Sequence, residues 1–198
     1  MHMMAPFGWD FQEYYVDGET VDDARNKAAQ FCVDNNHDAL FFLDYDVVIP
    51  PQALHILAQH FNNYPDVDVF SGVYCCKSKY PTPLIWKKQG SGVFWDWTPG
   101  DVLIDGVTCC GMGCTLIRTA LFAKVEKPWF KTIRESNGVE ETAKTEDAYF
   151  LEKAAAKILI DTSILCGHID NATGLMYTLP TESLPGRRLR AQMELKNG

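Results

Sequence analysis

Leu43-Asp44-Tyr45-Asp46 places two carboxylates two residues apart at the end of an apolar run. In an extended backbone successive side chains alternate, so Asp44 and Asp46 would share a face and Tyr45 the other. Two hard oxygen ligands on one side suit Mg2+ or Mn2+, which complete their shells with water and substrate phosphate oxygens. The competing reading is a solvated turn after a strand. Further on, Cys166-Gly167-His168 offers an imidazole, either a ligand for a divalent metal or a satisfied core residue. Thr145-Glu146-Asp147 reads as a helix start. A carboxylate there complements the helix dipole, which biases its pKa downward, and could also serve as a general base. Cys110, Cys114, Cys166 and His168 could converge on zinc, although the chain has no C-x-x-C spacing and buried thiols explain the same residues.

These groups need elements to hold them. Thr20-Val21-Asp22-Asp23 predicts a capped helix running to about Val33. Ala39–Leu43 is an unbroken apolar run, as in a parallel strand covered on both faces. Pro50-Pro51 predicts the start of a second helix, with Leu54, Leu57, Ala58 and Phe61 on one face. Residues 67–74 alternate as a strand. The first half therefore has the helix–strand rhythm of an open α/β sheet. Residues 75–107 read as short antiparallel ribbons and loops, with Trp86, Trp95 and Trp97 available to stack on a sugar or base or to pack in the core. Gly111-Met112-Gly113 turns into a strand through Arg118, followed by a short helix through Leu121 and Phe122. Residues 131–144 read as a mobile polar loop. Thr145 caps a helix, and Ile158–Ile160 is a last core strand. The chain divides into one domain over 1–171 and a tail over 172–198, which carries Arg187, Arg188 and Arg190 without a firm pattern.

Composition narrows the classes. The 198 residues carry a formal charge of −8, 46% are hydrophobic and 22% charged, which excludes a disordered or fibrous chain. The acidic balance speaks against a nucleic-acid backbone as partner. No apolar run approaches the ~18 residues of a membrane span, and the start has neither a basic nor an apolar signal region. The odd count of seven cysteines suits reduced thiols. Together these features predict a compact soluble protein of the cytoplasm.

Four pieces in order, the acidic pair within Phe41–Pro51, the Gly-Met-Gly turn within Gly111–Arg118, Thr145-Glu146-Asp147 and Cys166-Gly167-His168, resemble the GT-A fold glycosyltransferases, in particular the family 2-like enzymes, and Val21-Asp22-Asp23-Ala24-Arg25-Asn26 also matches. The likeness runs from about Val16 to Ile169. It implies a Rossmann-like, mostly parallel central sheet flanked by helices, with a small antiparallel ribbon. It implies a metal-dependent transfer of sugar from a UDP- or GDP-linked donor to an acceptor hydroxyl. On that resemblance Asp44 and Asp46 hold Mn2+ or Mg2+ on the diphosphate, Asp46 more directly, and His168 completes the shell. Arg25 and Asn26 lie near the nucleotide, Asp44, Asp105 and Glu146 contact the donor, and Gly111, Met112 and Gly113 line the sugar pocket. Asp147 is the base toward the acceptor. The fold's usual first strand has no counterpart, since Phe11–Val16 would already be the second. On this expectation either the chain is truncated, or Met1–Phe7 or a neighbouring chain fills that place.

Other classes remain open on the sequence. A sugar- or nucleotide-binding module would keep the fold without turnover, and a truncated domain of a larger enzyme would behave alike. A cysteine-ligated zinc protein is a second rival. A metal-dependent nucleotidyl- or phosphotransferase shares the acidic pair, but the chain has no G-x-x-x-x-G-K-[ST] phosphate cradle.

Overall fold

A computed structural model describes residues 6–87, 92–136 and 141–179. Among the described residues, three α-helices, α1 (Val21–Asp34), α2 (Ala53–Asn63) and α3 (Glu146–Lys153), and a 3-10 helix over Thr119–Lys124 accompany twelve strands. The strands are β1 (Ala39–Leu43), β2 (Val47–Val48), β3 (Val69–Val73), β4 (Ile85–Trp86), β5 (Val102–Leu103), β6 (Cys109–Cys110), β7 (Cys114–Arg118), β8 (Ile133–Ser136), β9 (Glu141–Lys144), β10 (Ile158–Leu165), β11 (Gly167–Ile169) and β12 (Met176–Tyr177).

The central sheet has the order β1-β7-β3-β10-β5. Among the described residues of this sheet only β3 and β10 run parallel; β1 with β7, β3 with β7 and β5 with β10 are antiparallel. The expected mostly parallel, Rossmann-like GT-A sheet is therefore incorrect: the sheet is mixed and chiefly antiparallel. The apolar run Ala39–Leu43 does form a strand. Its unbroken hydrophobicity reports apolar cover on both faces, and an antiparallel strand between two apolar layers satisfies that pattern equally well.

Alternation along the strands feeds those two layers. Val69, Ile117, Ile158 and Ile160 join Ala28 and Ala29 of α1 and Phe150 and Leu151 of α3. Phe70, Leu116 and Leu159 join Ala53, Leu54 and Leu57 of α2. Thr20 caps α1 by accepting the Asp23 N–H at 3.3 Å. Pro50-Pro51 forms a turn rather than the first helical residues, and α2 starts at Ala53, whose N–H meets the Pro50 carbonyl at 2.9 Å.

Three local expectations also change. Phe11–Val16 forms no strand; this stretch is largely exposed, with Tyr14 stacked on Phe31 instead. The polar stretch 131–144 contains a hairpin, β8 paired with β9, with residues 137–140 outside the described residues. Past Asn171 the chain is still tied to the fold, because β12 pairs with β11 and Leu179 is buried in the core. Arg187, Arg188 and Arg190 lie outside the described residues.

Candidate functional site

The loop after β1 is a tight turn, closed by the Val47 N–H on the Asp44 carbonyl at 3.0 Å. The alternation expected of an extended Asp44-Tyr45-Asp46 therefore does not hold, and the two carboxylates meet different partners. Asp44 Oδ2 accepts Nη2 of Arg25 at 3.0 Å, while Arg25 Nε donates to Oε1 of Glu146 at 3.0 Å. The guanidinium is buried and lies 5.0 Å from the centre of the Phe42 ring. Burial opposes its charge, but the attraction of Asp44 and Glu146 more than offsets this and raises its pKa. One fork thus joins α1, the β1 turn and the first residue of α3.

Asp46 looks the other way. Its Oδ2 takes Nζ of Lys77 at 2.5 Å and lies 3.4 Å from Nε2 of His168. His168 Nδ1 is 2.7 Å from the Cys75 carbonyl oxygen. A carbonyl only accepts, so Nδ1 carries the proton, and in the neutral ring the Nε2 lone pair is the one presented to Asp46. Two backbone features hold this pair: β11 is antiparallel to β2, with His168 opposite Val47, and the Ile169 N–H meets the Asp46 carbonyl at 2.7 Å. Tyr74 packs edge-on against the imidazole at 5.3 Å.

Gly111 and Gly113 do leave room for a ring, and that ring belongs to Tyr74. A Cβ at Gly111 would stand 2.4 Å from the Tyr74 hydroxyl, and one at Gly113 would stand 2.8 Å from Val47 and 3.1 Å from Asp44 Oδ2. The Gly113 N–H donates to the Tyr74 hydroxyl at 3.1 Å. Burial, together with the charges of Asp44 and Asp147, pushes this phenol well above its ordinary range. Met112 is fully buried in the core.

Asp147 is partly buried in the first turn of α3. Its Oδ1 accepts the Ala148 N–H at 2.8 Å and the Thr145 hydroxyl. Thr145 occupies the cap position, but its hydroxyl serves Asp147 rather than a backbone N–H of the helix. A helix dipole alone would lower a carboxyl in this first turn, and Asp147 shifts the other way. Burial and the adjacent Glu146 charge raise Asp147, outweighing the hydrogen bonds from Thr145 and Ala148 and the pull of Arg25.

The remaining predicted residues sit elsewhere. The Asn26 side chain donates to the Asp22 and Phe130 carbonyls and accepts the Trp129 and Phe130 N–H groups, so its amide is engaged with its own chain. Asp105 is exposed on the turn between β5 and β6. Trp95 and Trp97 are buried in the core, and Trp86 packs against it. All seven cysteines are free thiols. Hydrogen bonding and charge from Cys114, with burial, raise Cys166; burial pushes Cys75 to about 11 and Cys109 to about 12. Among the described residues no group of three or more His, Cys, Asp and Glu side chains converges as a metal site. His168 turns to Cys75 and Asp46 rather than toward a zinc tetrad.

Lys77, Tyr74 and the Cys75 carbonyl belong to the site and were not legible beforehand. The signal was their position just past β3, whose end faces the β1 turn only once the sheet order is known.

The sequence matches no protein-family model, and no curated protein matches it. Among solved structures, A197 from STIV is similar, with a TM-score of 0.56 over 83% of this chain and 78% of that one at 21% identity. That likeness shows a shared fold. Among the described residues no helix is long and apolar enough to cross a membrane.

Proposed function

We propose that this chain is a metal-dependent glycosyltransferase of the cytoplasm, moving a sugar from a UDP- or GDP-linked donor to an acceptor hydroxyl. The observation that carries the reading is the Asp46–His168 pair. A carboxylate oxygen and an imidazole nitrogen lie 3.4 Å apart, the ring oriented by the Cys75 carbonyl, as imidazole ligands are oriented by a hydrogen bond on the other nitrogen. This donor set fits Mn2+ or Mg2+, which keep few protein ligands and take the rest from water and phosphates. Bound there, the cation would supply Lewis-acid stabilisation of charge on the departing diphosphate.

Arg25 fixes Asp44 and Glu146, and with them the turn that carries Asp46. Asp147, its carboxyl raised toward the working range of a general base, accepts the proton of the acceptor hydroxyl as the oxygen attacks the sugar carbon. Tyr74 fills the space beside Gly111 and Gly113, so a donor sugar is received against the Tyr74 ring or after its displacement. That occupied space also favours a second reading, a nucleotide-binding module without turnover.

Calorimetric titration of UDP and GDP with Mn2+, and again with EDTA, separates the possibilities. The expected result is binding that requires the metal and is abolished in Asp46→Asn. Metal-dependent binding without sugar transfer, even to water, supports the module; no binding under any condition removes both readings.

A further inference from the structure

The two acidic residues of the β1 turn are neutralised by the chain's own cations, and the two cations differ in kind. Arg25 is 6% exposed in its side chain, bonded to two carboxylates and stacked near Phe42. Extracting it would strand two acids, so it is a fixture. Lys77 is 29% exposed in its side chain and, among the described residues, reaches Asp46 Oδ2 by one hydrogen-bonded contact, with the Asp170 carboxylate also within its field. A flexible ammonium stem that makes one partly solvated pair is held weakly.

The same oxygen, Asp46 Oδ2, faces His168 Nε2 and receives Lys77 Nζ. A divalent cation bridging Asp46 and His168 would meet the lysine ammonium at that oxygen, where like charges repel. The backbone around Lys77 need not move to relieve this. It is fastened on both sides by the Cys76 N–H on the Thr82 carbonyl at 3.0 Å and by the Cys75–Pro83 bridge, so rotation of the side chain suffices.

We infer that Lys77 is an exchangeable counter-ion of Asp46, which holds the carboxylate in the metal-free chain and swings out when a divalent cation takes the site. The inference rests on the metal site proposed above. It makes Lys77 a determinant of metal affinity, and it provides a cation released beside the bound metal, where an anionic substrate arrives.

Two measurements on the full chain test it, with metal alone and no nucleotide. Titration of Mn2+ into wild type, Lys77→Met and Lys79→Met compares removal of the counter-ion with removal of a charge two residues away. The expected result is affinity about two- to fivefold tighter in Lys77→Met and indistinguishable from wild type in Lys79→Met. Acetylation of wild type by an amine-reactive acetyl ester, read by peptide mass spectrometry, should show Lys77 more reactive with saturating Mg2+ than with EDTA. Equal Mn2+ affinities for the three proteins, or unchanged Lys77 reactivity, would overturn the exchange. If binding is then still lost in Asp46→Asn, the metal site itself stands. Absence of Mn2+ binding in both wild type and Lys77→Met removes the site and the exchange together.

Discussion

Arg25 and Glu146 lie 121 residues apart in the chain and meet in the interior, Nε to Oε1 at 3.0 Å. The contact closes α1 onto the start of α3, and the second arm of the same guanidinium holds Asp44. One buried cation therefore places Asp44 and Glu146 together, whereas Asp46 is held from the other side by Lys77 and the β2–β11 pairing.

Replacing that cation has a defined cost. Arg25→Met leaves Glu146 buried and Asp44 without its donor, and breaking a buried pair from one side typically costs about 3–5 kcal/mol. Urea unfolding followed by circular dichroism should show the free energy of unfolding lowered by that amount, read as a lower midpoint at unchanged slope. Arg25→Lys should recover little, since an ammonium cannot span two carboxylates with a planar fork. A stability for Arg25→Lys equal to wild type would show that charge alone, not the fork, matters.

Asp147 makes a prediction in two observables. Its carboxyl is raised by burial and by Glu146, so the folded chain holds this proton more tightly than the unfolded chain. Stability from this group is present below the ordinary aspartate value near ~4 and is lost as pH rises through the raised one. Asp147→Asn, which keeps an acceptor for Thr145 and the Ala148 N–H, should be more stable than wild type at neutral pH, with the gap closing in acid. Sugar transfer should fall by about 10²–10⁴-fold in the same variant while UDP or GDP binding persists. A wild-type stability profile parallel to the variant's would remove the buried-acid account, and near-normal transfer would remove the base.

How far the sequence went depends on whether the signal was local. Thr20 before Asp22-Asp23 marked α1, and the apolar run at Ala39 marked β1, because caps and periodicity act over a few residues. Strand direction does not. Cover on both faces makes parallel and antiparallel strands look alike, and the mixed sheet followed from pairings such as Leu40 with Ile117 that no local pattern encodes. The site divides in the same way. Asp46 and His168 were recognisable as ligand types, but their approach to one another is set by the β2–β11 pairing. The glycines at 111 and 113 advertised empty space without saying that Tyr74 fills it. The Asp147 shift inverted because its burial outweighed a helix-end effect worth only a few tenths to one kcal/mol.

The cysteines should separate chemically. Burial raises Cys109, Cys110 and Cys75, which suppresses the thiolate that reacts. Cys76 is only partly buried. Burial pushes it up, but hydrogen bonds from Ser78, from the Thr82 hydroxyl at 3.1 Å and from the Thr82 N–H at 3.4 Å outweigh this and hold it below its ordinary value. Iodoacetamide at neutral pH should label Cys76 first in the native protein, and Thr82→Val should slow it severalfold. Labelling of Cys109 or Cys110 at a comparable rate would contradict the packing of the β6 strand.

The pin between α2 and β10 should govern the acid limb of stability. His60 Nε2 lies 2.7 Å from Asp161 Oδ2, and Asp161 Oδ1 accepts both the N–H and the hydroxyl of Ser163. Burial alone would raise Asp161, yet the bonds from His60 and Ser163 prevail and lower it. A lowered carboxyl gives stability that is present above its unfolded value near ~4 and is lost as pH falls through the folded one. His60→Ala withdraws one donor from a buried carboxylate and should cost about 1–3 kcal/mol at neutral pH. Because the remaining carboxylate is then easier to protonate, the variant's acid unfolding midpoint in a circular-dichroism titration should move to higher pH. An unchanged midpoint in His60→Ala would show that Ser163 alone keeps Asp161 ionised.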